Sequence, residues 1–355
     1  MIPTRTDPLP ALDLGTALRW GLDRPVDDIT RSLAGFLARA CGPSTVAILH
    51  YGSRAQGRQP RADSAFDFFI VVDRYRDAFR SLAATVGTSY SPWVATALAH
   101  VLAPNVIAVT DRDGEGRRAK CCVLSLADFR RACSARRRDH FVQGRLFQFV
   151  VIAWARNADG AREVGEAIAE ARAATFTWGR SSLPDRFTVD RYVRAILERS
   201  LDGEIRPEAG DHARALAGAQ QAALRAIYAP LLQQLVAQGA LVTVDARSAA
   251  AREVAQGSDP AATLYRQRVG PTRLDRLWVR LYFQRSKVRA TARLLKHVVL
   301  YEGWLDYIVR KIERSGDATV VLTRREQRWP LIFLWPRVFR YLRTRPQRRR
   351  PHDFD

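Results

Sequence analysis

The chain has 355 residues, 47% of them hydrophobic and 26% charged, with 57 Arg and Lys against 36 Asp and Glu for a net charge of +21. That apolar content excludes a disordered chain, and the length favours two domains over one. Its most apolar stretches, 147–155 and 329–342, fall short of the ~20 apolar residues that a bilayer-spanning helix requires, and residues 1–16 lack the pattern of a signal peptide.

Taken in chain order, residues 1–14 are Pro-rich and read as loose. Residues 28–39 carry apolar positions at helical spacing, and 45–49 read as a short buried strand that runs directly into Tyr51-Gly52-Ser53. Phe66–Val72 is a second strand, rich in Phe, Val and Ile. Residues 77–86 and Pro92–Val101 read as helices, 106–110 as a strand, 111–118 as a polar turn, 120–125 as a strand and 126–136 as a helix. From 141 to 228 the signals are mainly helical, with a break at 181–185, a turn at Asp202-Gly203 and a short β piece at Leu241–Val244 beyond. Residues 256–262 look like a linker, and helical periodicity runs from 273 to 312 before a Trp/Arg-rich end. The expected fold class is α/β (α+β): a mixed-sheet domain over 25–155, a helical domain over 156–260 and a basic region over 261–355. Cys41, Cys121, Cys122 and Cys133 form no CxxC pair and read as small buried residues in a reducing compartment.

The chemistry concentrates between His50 and Asp73. Gly52 after a buried strand lets the backbone turn tightly and approach a phosphate, and Ser53 adds a hydroxyl beside successive amide N–H groups. Asp67 then sits inside a hydrophobic strand, where a carboxylate is costly unless it meets a metal or other partners. Paired with a phosphate-gripping Gly-Ser turn, it fits a Mg²⁺ ligand for a nucleoside triphosphate. Alternation puts Ala65, Asp67, Phe69, Val71 and Asp73 on one face, but Asp73 lies ~20 Å from Asp67 along the strand, too far to share its metal.

At these residues the chain resembles the DNA polymerase β-like nucleotidyltransferases, except that Ala65 stands where that superfamily usually has its first acid. A narrower resemblance is to the mitochondrial-type phosphatidate cytidylyltransferases, the translocator-maintenance proteins, whose strand also carries a single Asp and ends in Val-Asp. Tyr90-Ser91, the strand at 120–125, Gly144-Arg145-Leu146, the run 183–187 and the run 202–206 resemble further elements of that family in the same order. Arg54, Ser89, the strand at 106–109 and Phe147-Gln148 depart from it, where base and acceptor would be selected. The resemblance implies a nucleotidyltransferase-like sheet domain followed by a winged-helix-like one, and transfer of CMP from CTP to phosphatidic acid with Mg²⁺. Asp67 would then bind metal and act in catalysis, and Lys120, the only lysine before residue 287, would be a catalytic phosphate contact. Tyr51, Gly52, Ser53 and Arg145 would hold the nucleotide, and Ser91 and Arg206 the acceptor phosphate. Asp63, Asp202 or Glu204 could supply a further carboxylate.

Residues 281–350 hold 18 Arg or Lys against 5 Asp or Glu, a net of +13. Trp at the flanks of 329–335 with arginines behind has the composition of an interfacial segment, so an anionic lipid surface is the expected partner. No nucleic-acid-binding motif competes with that reading. The expected location is cytoplasmic, peripheral on the inner face of a membrane. Two alternatives stay open: the same chemistry on another acceptor, or an inactive scaffold that binds membrane or nucleic acid.

Overall fold

The computed structural model describes residues 13–57, 65–88, 90–111, 116–202, 217–244, 263–300 and 323. Its fold is α+β, with a five-stranded mixed sheet and a separate three-stranded one. After helix α1 (Leu14–Leu18) and helix α2 (Asp28–Cys41) come strands β1 (Thr45–Tyr51) and β2 (Phe66–Val72), then helices α3 (Tyr75–Val86) and α4 (Pro92–Val101). Strands β3 (Asn105–Thr110) and β4 (Arg118–Ser125), helices α5 (Leu126–Cys133) and α6 (Gln143–Leu146), strand β5 (Val151–Ala155) and helix α7 (Ala158–Ala173) complete this part. The strand order is β3-β4-β2-β1-β5, with β2 parallel to β4 and the other pairs antiparallel.

Strand β1 is buried along its whole length, which is why it reads as an unbroken apolar run instead of an alternating one. Its neighbour β2 sends Phe66, Phe68, Ile70 and Val72 into a core shared with α2, α3 and α4. The alternate residues Phe69 and Val71 join a second core with Leu49, Cys122, Phe129, Leu146 and Ile168, closed by α5, α6 and α7. The sheet is therefore sandwiched between two helical layers, and Asp67 belongs to the α5–α7 side by alternation. Caps fix where the helices begin: the Asp27 carboxylate accepts from Thr30 N at 2.7 Å, and Asn157 Oδ1 accepts from Gly160 N at 2.8 Å. All four cysteines are buried thiols.

A third core is built from helices α8 (Thr175–Gly179), α9 (Val189–Asp202) and α10 (Gln221–Ala237) and the small sheet of β6 (Arg186–Phe187), β7 (Leu241–Val244) and β8 (Leu264–Gln267), in the order β6-β8-β7. The long helix α11 (Arg273–Leu300) adds Val279, Tyr282 and Phe283 to that core. Further along, α11 reaches the sheet domain. Lys296 Nζ donates to Pro104 O at 2.8 Å and to the Leu102 carbonyl, capping the C-terminal end of α4. Among the described residues no helix is long and apolar enough to cross a membrane.

The expected strand and helix starts hold to within about two residues through α5. Strand β5 is different: the sequence places 147–155 within a mainly helical stretch, and residues 151–155 instead pair antiparallel with β1 at the sheet edge. The apolar run is visible, but its period is not, because residues 151–155 are all apolar and carry no alternation to tell strand from helix. The linker at 256–262 and the Trp/Arg-rich end lie outside the described residues.

Candidate nucleotide site

Strand pairing assembles a row that spacing alone could not. Asp67 pairs with Tyr51 on one side and with Lys120 on the other, and Lys120 pairs in turn with Ala108. Neighbouring strands are ~4.8 Å apart, so these side chains stand shoulder to shoulder at one end of the sheet. Beneath the row, Phe69 and Cys122 begin the apolar core. Asp67 and Lys120 are half-buried, reachable from outside yet supported from below.

Gly52 turns the chain away from β1 with φ +84°, a conformation that costs little for glycine alone. A Cβ on Gly52 would lie 2.7 Å from Asp67 Oδ2, so the glycine leaves the space in which the carboxylate sits. Ser53 opens a single helical turn, closed by Gln56 N donating to Gly52 O at 3.1 Å. The turn is anchored by amides: Gln56 Nε2 donates to Gln148 Oε1 at 3.1 Å, and Gln148 Nε2 donates to Gly144 O at 2.8 Å. Gln220 of the helical part donates to the same Gln148 oxygen at 3.2 Å. The Gly-Ser turn is thus tied to α6 and to the segment entering α10.

Arg145 comes to the same region from α6. Its Nη1 donates to Phe141 O at 2.6 Å and its guanidinium lies 4.0 Å from the Phe141 ring centroid. Burial pushes the Tyr51 hydroxyl far above its ordinary pKa, with Asp67 close enough to add to the shift and Arg145 to oppose it. Burial likewise raises the Cys122 thiol, while Lys120 and Arg145 pull it down. A carboxylate and two cations therefore converge around the Tyr51–Cys122 pair, whose hydroxyl and thiol lie 3.4 Å apart.

The other expected residues separate. Tyr51 lies in the row, but its ring stacks on Phe69 at 4.6 Å and its hydroxyl meets Cys122, so its phenol supports the site from within the core. Ser91 starts α4, whose Ala95 and Ala99 pack in the layer opposite to that of Asp67. Arg206, Asp63 and Glu204 lie outside the described residues. Asp73 follows β2 at the far end of the sheet and pairs with Arg156 at 2.5 Å. The sequence marks Gln148 only as a departure from the resembled family and not as an anchor of the turn, and it leaves Phe141 unmarked, although the spacing of Phe141 and Arg145 is a readable one-turn pair.

Among the described residues no group of three or more His, Cys, Asp or Glu is placed to hold a metal. A single carboxylate over a glycine cradle still suits Mg²⁺, a hard cation that keeps several waters and takes its remaining ligands from substrate phosphates. No protein-family model matches the chain, and no curated protein matches it.

Proposed function

We propose that the chain is a nucleotidyltransferase that moves CMP from CTP onto phosphatidic acid at a membrane surface, forming CDP-diacylglycerol and releasing pyrophosphate. The observation that carries the reading is the register of Asp67 against Lys120 beside the Gly52 turn. A phosphate oxygen of phosphatidic acid forms a bond to the α-phosphorus of CTP as the bond to the β-phosphate oxygen breaks, and the electron pair leaves with pyrophosphate. Asp67 would hold Mg²⁺, which supplies neutralisation of charge on the triphosphate. The Ser53 turn offers N–H groups and a hydroxyl to phosphate oxygens. Lys120 and Arg145 balance the negative charge that grows on the leaving group, and both are held before substrate arrives, Lys120 by its strand and Arg145 by Phe141.

A surface on α11 favours the lipid acceptor. Leu274, Leu277, Trp278, Leu281 and Val288 are exposed along one stripe, with Arg273, Arg276 and Arg280 exposed along its flank. An apolar stripe flanked by arginines fits the headgroup layer of an anionic membrane. The expected result is that protein with Mg²⁺, labelled CTP and phosphatidic acid liposomes makes CDP-diacylglycerol, and that Asp67→Ala abolishes it. Equal use of ATP, GTP or UTP, or turnover of a soluble acceptor without liposomes, would sink the lipid assignment.

A second reading, an inactive nucleotidyltransferase-like scaffold, is favoured by Ala65, which stands two residues before Asp67 where the resembled superfamily carries an acid. Absence of any Mg²⁺–nucleotide binding in calorimetry would decide for it.

A further inference from the structure

Beyond the end of β4 that lies away from Lys120, a small, half-open cleft lies among α4, α5 and α11. Its lining includes Arg131, Arg138, Arg289 and Arg293 against two carboxylates, Asp128 and Asp139, a formal excess of two positive charges. Both carboxylates are already engaged. Asp128 accepts from Tyr75 Oη at 2.8 Å and from Arg131 Nη1 at 3.1 Å. Asp139 accepts from Arg289 Nε at 2.6 Å, Arg293 Nη2 at 2.7 Å and Phe141 N at 3.0 Å. Burial works to raise the Asp139 carboxyl, but Arg293 and Arg289 hold it below the usual carboxylate range.

The arginine donors are not used up. Arg293 is only 4% exposed, and its Nε and Nη2 donate to Ala103 O at 3.0 and 2.7 Å. Its Nη1, closed off from solvent, has no acceptor among the described residues. A buried guanidinium N–H without an acceptor is costly, so Arg293 keeps part of its positive charge uncompensated behind the cleft. Arg138, exposed at the rim, makes no ion pair among the described residues.

The geometry points to an oxyanion site in this cleft that takes a phosphomonoester dianion. Two negative charges match the excess of two, and guanidinium forks suit a group with three equivalent oxygens. Arg138 and Arg131 meet the dianion at the rim, and Arg293 backs the cleft with a buried positive charge. The site does not depend on the nucleotidyltransferase reading, since none of its lining residues belongs to the Asp67 row. The two regions approach each other at Phe141, whose ring lies 4.0 Å from the Arg145 guanidinium and 4.7 Å from that of Arg293. The dianion could come as a free phosphomonoester or as a headgroup on a lipid surface.

Titration calorimetry of the full chain with inorganic phosphate and with glycerol 3-phosphate tests the site. One dianion per chain is expected for both the unmodified protein and Asp67→Ala. Arg138→Ala should weaken binding about tenfold, the worth of one charge-assisted hydrogen bond. Arg131→Ala combined with Arg138→Ala should abolish it, while the thermal midpoint moves little, since both arginines are exposed and the fold loses only the Arg131–Asp128 pair. Sedimentation with phosphatidate/phosphatidylcholine vesicles separates the sources. Pelleting that Arg138→Ala reduces and inorganic phosphate competes away assigns the headgroup. Pelleting indifferent to Arg138→Ala, with phosphate binding retained, assigns the free ester. No phosphate binding by the unmodified protein, undiminished binding in the double variant, or loss of binding in Asp67→Ala overturns the site.

Discussion

Gly52→Ala should damage the site more than the fold. At φ +84° an L side chain costs about 1–2 kcal/mol of stability. The new Cβ would also lie 2.7 Å from Asp67 Oδ2 and 3.3 Å from Asp67 Cβ. Ordinary contact begins at 3.4 Å, so the carboxylate must retreat by roughly 0.7 Å. A displacement of about 1 Å in a reacting constellation costs on the order of 10²-fold in rate, so a ten- to hundredfold loss of kcat/KM is expected. Gly87 provides the control. It has φ +69° with nothing within 4 Å of an added methyl, so Gly87→Ala should carry the backbone cost alone. Urea denaturation of both variants, CTP–Mg²⁺ calorimetry and CDP-diacylglycerol formation make the comparison. If Gly52→Ala binds and turns over as Gly87→Ala does, the carboxylate position does not govern the site and the reasoning fails.

Acid should destabilise the fold well before carboxylates titrate. Burial lowers His50 to about 4 and His140 to about 3 from an ordinary 6.5, so both stay neutral while the unfolded chain takes up protons. Stability is thus whole above pH 6.5 and is lost as pH falls toward 4 and then 3, by about 4 kcal/mol for the pair at pH 5. Urea midpoints at pH 7.5 and 5.0 check this, and an unchanged midpoint counts against it. Arg172 is fully buried and donates to the carbonyls of Leu146, Leu18, Trp20 and Gln148, and burial lowers its guanidinium to about 10. Arg172→Met strands four acceptors and should cost about 4 kcal/mol in chemical denaturation, whereas a loss below about 1 kcal/mol would mean water reaches them.

How much of this was legible follows from range. Strands β1 and β2 carry their identity locally, as aromatic and β-branched runs bracketed by Gly-Pro and Gly-Ser, and Asp67 stood out because a lone carboxylate in such a run needs a reason. The short strands β6 and β8, at Arg186–Phe187 and Leu264–Gln267, exist because they pair with each other across some eighty residues of chain, and nothing local announces them. Register is the same kind of information. No sequence pattern places Lys120 opposite Asp67; only the parallel pairing of β2 and β4 does. Ser91 shows the converse, since motif order suggested a role beside Asp67 while α4 packs on the other layer. The Arg293 cleft was invisible for that reason too, as its parts come from α4, α5 and a helix about 150 residues further on.

The carboxylate count has a consequence for the order of binding. Ala65 removes one acid from the Asp67 face, Asp73 is held by Arg156 at the other end of the strand, and among the described residues no group of three or more His, Cys, Asp or Glu forms around Asp67. Mg²⁺ dehydrates reluctantly, and one carboxylate with Lys120 alongside gives it little reason to do so. Its remaining ligands must then be nucleotide phosphates, so metal and nucleotide should arrive together. Calorimetry should show no saturable Mg²⁺ binding to the protein alone up to about 1 mM, and CTP binding at least about tenfold tighter with Mg²⁺ than with EDTA. Micromolar Mg²⁺ affinity without nucleotide would mean that other carboxylates converge on Asp67, and Asp63→Ala and Glu204→Ala would then be the variants that remove it.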